Sequence, residues 1–573
     1  MILRALYDYY ERNRDKLPAF GREEKEIAFL IVIDKDGHFI RFEDRRSEDS
    51  KHAQTFLVKK HVGRSSGVKA NYLYDNSAYV LGFSDKKDIA SNQKYFQSFK
   101  EKVNEIYHAI PGNEDIRAVH LFYEHTPEEI LSMISQDSLW EDIKKNLNKK
   151  YSTFSFLIQG DTEIIAQKDE LLNIGEEEHT DGNRICIITG EKGNTVETTT
   201  STMIPGSQAT AKLVSFQINS GYDSYGKKKG DNAPISVKAE FEYTTALNHL
   251  LATDSRNKFL IGNRTYLFWA SSSDEAGQKV EKSVFDMFHF NSSSDDDPDR
   301  GIEQVRKVFQ SIYSGTLKTS LEDRFYIMGL APNAARIAVV YWAEIPLQKF
   351  SAMILRHFED MKIVDTRKEK RPYMGLRSML SAITLSGKSS DALPNLADAL
   401  VKSVFQGQPY PYTLFAGCIR RIRAEQSVTI TRAAILKAYL NRQEYNLQKI
   451  ETMLDLENKN QGYLCGRLFA VIDKIQGDAN SMHSIRERYI NSASATPSAV
   501  FATILNQSFH HLEKLSEGKK IYYEKVKQEI IDKLSADGFP SHLDLQNQGR
   551  FFVGFYQQLQ WFYTKKEDQT TEK

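Results

Sequence analysis

From about Ile345 onward the sequence carries only helix-patterned stretches, whereas before that point helical and strand-like stretches alternate. That one change of style constrains the fold more than any single motif. It excludes an all-β chain and an all-helical chain, and predicts an α+β protein. Mixed α/β N-terminal and middle regions are followed by an all-helical C-terminal bundle. A chain of 573 residues also exceeds one ordinary core. The expected segments are 1–150, 151–344, 345–452 and a terminal bundle over 453–573.

Local patterns fill in the mixed part. Ile2, Leu3, Leu6 and Tyr10 share a helical face. "IAFLIVID" (27–34), "KDGH" and "FIRFED" (39–44) read as a hairpin, and "SAYVLGF" (77–83) as a strand. A helix over 92–110 ends at Pro111-Gly112. Strands are expected at 152–160 and 184–191, a helix at 237–252, and a hairpin over 257–270 about Gly262-Asn263. Two strands over 324–345 are joined by a Pro-Asn turn. "NSSSDDDPDRG" (291–301) reads as an acidic linker, 173–183 as an exposed loop and "KKEDQTTEK" as a frayed tail.

Chemistry is mostly excluded. Cys186, Cys418 and Cys465 are far apart and no Cys/His ligand spacing occurs, so neither a disulfide framework nor a zinc site is expected. A reducing cytoplasm suits such a chain. "MILRALYDYYERN" is not a signal peptide, and no run approaches the ~20 apolar residues that span a bilayer. The acidic linker fails as an EF-hand, with Arg300 in the glycine position and Arg306 in that of the bidentate Glu. "SGKSS" (386–390) fails as a P-loop because Ala382 stands where the first glycine belongs. His510 and His511 are adjacent on a helix and diverge. With no metal, cofactor or nucleophile motif, the patterns favour binding over catalysis.

Lys+Arg and Asp+Glu both number 76, so any basic surface is local. Around "GRSSG" stand Lys59, Lys60, His61, Arg64 and Lys69. Gly63 and Gly67 admit close backbone approach, Ser65 and Ser66 offer donors to phosphate, and Asn71 and Asn76 carry base-reading amides. "SYGKKKG" adds Lys227, Lys228 and Lys229. In "FAGCIRRIRAEQ" (415–426) an apolar stripe turns Arg420, Arg421 and Arg423 outward, followed by Arg432, Lys437 and Arg442. Each cluster reads equally as a solvated surface; three in a chain without enzyme motifs point toward nucleic acid.

At these residues the sequence resembles the large subunit of the type I-C CRISPR surveillance complex (Cascade), the Csd family. The resemblance is carried by "GRSSGVKANYLYDNSAYVLG" (63–82), "LVSFQINSGYDSYGKKKGDNAPIS" with "YTTALNHLL" (213–251), "FYIMGLAPNAARIAVVYW" (325–342) and "QGQPYPYTLFAGCIRRIRAEQ" (406–426). "GRLFAVIDKIQ" (466–476), "RYINSASATPSAVFATIL" (488–505), "HHLEKL" (510–515) and "QGRFFVGFYQQ" (548–558) continue it. One departure is the absence of a histidine soon after "TGE" (189–191).

The resemblance implies a non-catalytic subunit, without cofactor, of a guide RNA-containing complex with backbone and small subunits. It implies recognition of a protospacer-adjacent motif, usually of 5′-TTC type, on double-stranded DNA. It further implies help in opening the target, holding of the displaced strand and recruitment of a separate helicase-nuclease, while pairing with the guide reads sequence, a division of labour general to such effectors. On that basis Arg64, Ser65, Ser66, Gly67, Lys69, Asn71 and Asn76 are expected at the motif, with Arg64 on phosphate, and Asp75 and Tyr79 are read as structural. Lys59, Lys60, Lys227, Lys228, Lys229, Arg420, Arg421, Arg423 and Arg467 are expected on nucleic-acid backbone, with Arg486, Arg488 and Lys514 as further candidates. Leu464, Leu468, Val471 and Ile475 share one helical face of the bundle, and Ile504, Leu505, Phe509, Leu512 and Leu515 another. The family also makes this bundle separately by internal translation; Met453 is the expected start, ahead of Met482. A metal-dependent nuclease and a scaffold without DNA contact are the alternatives.

Overall fold

The computed structural model describes residues 2–48, 52–64, 67–84, 88–147, 153–174, 182–216, 223, 225–289, 298–368, 373–443, 448–481 and 484–564. The fold is α+β. It divides into two compact units, one of residues 1–202 and 214–249, the other of 203–213 and 250–573. Ser65, Ser66, Met482, most of the 173–183 loop, the linker residues 291–297 and the tail 565–573 lie outside the described residues.

The first unit is built on a four-stranded sheet in the order Phe39–Asp44, Phe29–Ile33, Thr153–Ile158, Tyr74–Asn76. Phe29–Ile33 is buried along its whole length, as its unbroken apolar run requires. It forms the expected hairpin with Phe39–Asp44 and pairs in parallel with Thr153–Ile158. Beside this sheet, Arg22–Ile27 and Gln54–Lys59 make a separate antiparallel pair. The helix Ile89–Ala109 starts where Asp88 accepts a hydrogen bond from the Ser91 N–H (2.7 Å) and buries Phe96, Phe99, Val103 and Ile106.

Two strand expectations in this unit are corrected. Ser77–Val80 is a short helix, because the Asn76 side chain accepts from the Ala78 N–H (3.0 Å) and diverts the backbone from the sheet. Only Arg184–Ile185 of 184–191 is strand. From Cys186 the chain turns back, with the Gly190 N–H donating to the Cys186 carbonyl (2.8 Å).

In the second unit Lys258–Ile261, Arg264–Ala270, Arg324–Asn333 and Arg336–Pro346 form an antiparallel sheet with sequential neighbours. The last turn lies at Ala334-Ala335, not Pro-Asn; Ala334 takes the left-handed conformation and Pro332 stays paired with Ile337. Helices follow from Leu347, and one core runs from Phe259 to Tyr556. At its centre Gln461–Asn480 crosses Leu545–Trp561 so closely that a Cβ on Gly466 would overlap the Phe551 carbonyl. Phe509, expected in the core, is 51% exposed. The 386–390 segment is a short turn, with Gly387 left-handed and Ser386 bonded to Asp391, not a phosphate loop. Among the described residues no helix is long and apolar enough to cross a membrane.

Candidate nucleic-acid interface

The chain leaves the strand Gln54–Lys59 and returns to the sheet at Tyr74, and the segment between is fastened from several sides. His61 stands 2.7 Å from Glu23. Burial works against the Glu23 carboxylate, but His61, Lys25 and the Tyr74 hydroxyl hold its pKa below the ordinary value. The Asn71 side chain accepts from the Val62 N–H (2.9 Å), tying one side of the loop to the other.

Arg64 is the principal tie. Its Nε donates to the Lys69 carbonyl (2.8 Å), its Nη2 donates to Asp75, and its guanidinium carbon lies 4.1 Å from the Tyr79 ring centroid. The Asp75 side chain is only 2% exposed and also accepts from the Asn71 N–H (3.0 Å) and the Asn76 N–H (2.8 Å). Burial raises the Asp75 carboxyl, opposed by Arg64 and these two N–H groups. Asp75 and Tyr79 thus hold the loop through Arg64.

In this structure the expected motif residues are engaged as follows. Arg64 is engaged within the loop rather than extended toward phosphate. Asn71 is buried and spends its side-chain oxygen on Val62, and Asn76 spends its own on a helix cap. Among the described loop residues, His61, Gly63, Arg64, Gly67, Val68 and Lys69 are exposed, Arg64 while holding its partners within the loop. Gly67 has φ +96°, which only glycine takes without strain, and nothing lies within 4 Å of where its Cβ would be. Lys60 is turned inward, 3.0 Å from Thr200 Oγ1 and 3.5 Å from Glu240.

The second cluster keeps Lys227 and Lys228 exposed, while Lys229 pairs with Glu197 at 2.8 Å. Beside them Tyr225 is 99% exposed, an aromatic that a reading for charge alone passes over. Its signal in the sequence is a Tyr-Gly pair heading a lysine run.

In the second unit Arg420 is exposed, but Arg421 pairs with Glu425, which also binds Arg432 at 2.5 Å. Burial lowers the pKa of Arg423. Lys437 and Arg442 are buried, Arg442 on Asp360 at 2.5 Å. Arg467 is 0% exposed, donating to Gln558 (3.0 Å) and Glu529 (3.2 Å), and does not reach a surface. Its helix is buried on nearly every face, so no solvent side exists for it. Arg486 is held by the buried Asp473. Among the described residues no group of three His, Cys, Asp or Glu converges as a metal site would require.

The family model of the CRISPR-associated protein Cas_Csd1 matches residues 6–563. The chain belongs to that family. It is therefore a CRISPR-associated subunit of Cascade type. No curated protein matches it.

Proposed function

We propose that this chain is the non-catalytic large subunit of an RNA-guided type I-C interference complex, and that its 61–76 segment recognises the protospacer-adjacent motif on double-stranded DNA. The observation that carries this reading is the exposed Lys69, whose carbonyl is held by an Arg64 that is itself bonded to Asp75 and lies on the Tyr79 ring. A residue whose backbone is already held enters a groove with less conformational freedom to lose, and Lys69 supplies a cation to base-edge acceptors. Guide pairing then reads the remaining target. The exposed Tyr225, Lys227 and Lys228 suit the displaced strand, where a ring stacks on any base and ammonium groups follow the phosphates. Cutting is left to a recruited helicase-nuclease, and the work is cytoplasmic.

The test uses the assembled complex and duplexes with and without the motif, titrated at one salt concentration. Lys69→Ala is expected to weaken motif-bearing DNA by about 1–3 kcal/mol and motif-free DNA less. An unchanged preference sinks the reading. Cleavage of DNA by the isolated chain in Mg²⁺ would return it to the nuclease class.

A further inference from the structure

The loop that carries Lys69 has a root as well as a tip. Lys59, where the chain departs, and Tyr72, where it comes back, touch: the ammonium lies 4.6 Å from the ring centroid. A second ammonium arrives from another element. Lys102, on the helix Ile89–Ala109, lies 5.3 Å from the same centroid. These distances hold the two nitrogens within about 10 Å of each other. Attraction to the face of one ring draws in two like charges that otherwise repel. The same helix also packs Tyr95 on Tyr79 at 4.7 Å, the ring that carries Arg64. Lys102 also pairs with Glu105 across one helical turn, and Glu105 is 64% exposed. Such a solvent-screened pair is readily exchanged for another anion.

We propose that Lys59 and Lys102, gathered by Tyr72, form a phosphate clamp at the loop's root, gripping the sugar-phosphate backbone of the duplex whose motif lies under the tip. The inference rests on the motif-reading role proposed for the loop. Along one strand phosphates recur about every 3.4 Å of helix axis, so ammonium groups within about 10 Å of each other meet neighbouring phosphates of that strand. The clamp is blind to sequence. It holds duplex in register while the tip discriminates.

The test uses the full chain in its assembled complex, with motif-bearing and motif-free duplexes titrated across a range of salt. Lys59→Ala and Lys102→Ala are each expected to weaken both duplexes equally and to reduce the slope of log K against log salt by about 0.9. Lys102→Arg is expected to restore both affinity and slope. Tyr72→Leu is expected to weaken both duplexes although it removes no charge, and Tyr72→Phe to leave them unchanged. If Lys102→Ala leaves affinity and slope as they were while Lys69→Ala still lowers motif preference, the clamp alone is overturned. A Lys102→Arg variant as weak as Lys102→Ala overturns it too. If Lys69→Ala also has no effect, the reading of the loop falls and takes the clamp with it.

Discussion

Arg64 makes three interactions at once, and they make opposite predictions from those of a free cation. A phosphate-bound arginine contributes to the salt dependence of binding, so its removal lowers the slope by about 0.9. An arginine spent on Asp75, Lys69 and Tyr79 contributes shape instead. Arg64→Met is therefore expected to leave the salt slope unchanged while motif preference drops, read from the same DNA titrations. It also strands the buried Asp75 carboxylate, a loss on the order of 3 kcal/mol that shows as faster hydrogen exchange over residues 61–76. The sequence presented Arg64 as a free cation because its partner lies eleven residues on, beyond any local pattern. His357 poses a second residue-scale test. Its Nε2–H donates to the Met374 carbonyl (2.8 Å), so Nδ1 accepts from the Tyr410 hydroxyl (2.8 Å). Burial, with a smaller push from Arg442, lowers its pKa to about 4. The unfolded chain takes up this proton near pH 6.5 and the folded chain only near 4, so stability is full above 6.5 and falls as pH drops between the two. The expected loss is about 3 kcal/mol. Between pH 7 and pH 5 about 2 kcal/mol of this is lost, which hydrogen exchange of Leu347–Met361 at the two pH values measures, and His357→Gln should flatten the difference.

Among the elements, the crossing of Gln461–Asn480 with Leu545–Trp561 depends on glycine in both partners. Gly462 and Gly466 meet the backbone of Asn547 and Phe551, and Gly554 meets the Tyr463 carbonyl. Gly466→Ala has no free volume to occupy and is expected to cost about 1–3 kcal/mol or more through forced separation. Gly518, in the helix Glu517–Ile531, has nothing within 4 Å of its would-be Cβ. Gly518→Ala is expected to stabilise by about 0.4–1 kcal/mol. Thermal melting of the two variants in parallel checks the contrast. Periodicity made these helices legible, since Leu464, Leu468, Val471 and Ile475 are all buried as the 3.6-residue pattern demands. It does not reveal that the remaining faces are buried as well, which is why the sequence reading puts Arg467 on nucleic-acid backbone. The 77–83 run illustrates the converse limit. A short apolar stretch has the same composition as strand or helix, and a single hydrogen bond to the Asn76 side chain decided between them.

At the scale of the whole molecule, the C-terminal bundle bears on whether residues 453–573 can act apart from the rest. The change of sequence style at about 345 is visible in the sequence, yet one core crosses both that position and the expected boundary at 452, because packing partners far apart in sequence leave no local trace. The Tyr556 hydroxyl donates to the Val364 carbonyl (2.9 Å), Gln557 Nε2 donates to the Glu451 carbonyl (2.8 Å), and Gly549 lies against the Phe415 ring. A polypeptide begun at Met453 would carry these donors and that aromatic-lined face without the residues that cover them. Each lost hydrogen bond costs about 0.5–1.5 kcal/mol net once water replaces the acceptor, and the uncovered apolar face adds a drive to associate. Residues 453–573 expressed alone are therefore expected to melt below the full chain and to self-associate in sedimentation. A monomer with a sharp melt at the full chain's temperature would show that the covered face adds nothing. If Met453 is an internal start, Met453→Leu removes the short polypeptide from purified complexes while leaving the full-length chain folded, since Met453 sits at the edge of the core, where leucine replaces it at little cost. A short polypeptide that survives the substitution places its start elsewhere. The cost of the uncovered face then still requires that a partner in the complex supply a surface like the one residues 345–452 provide here.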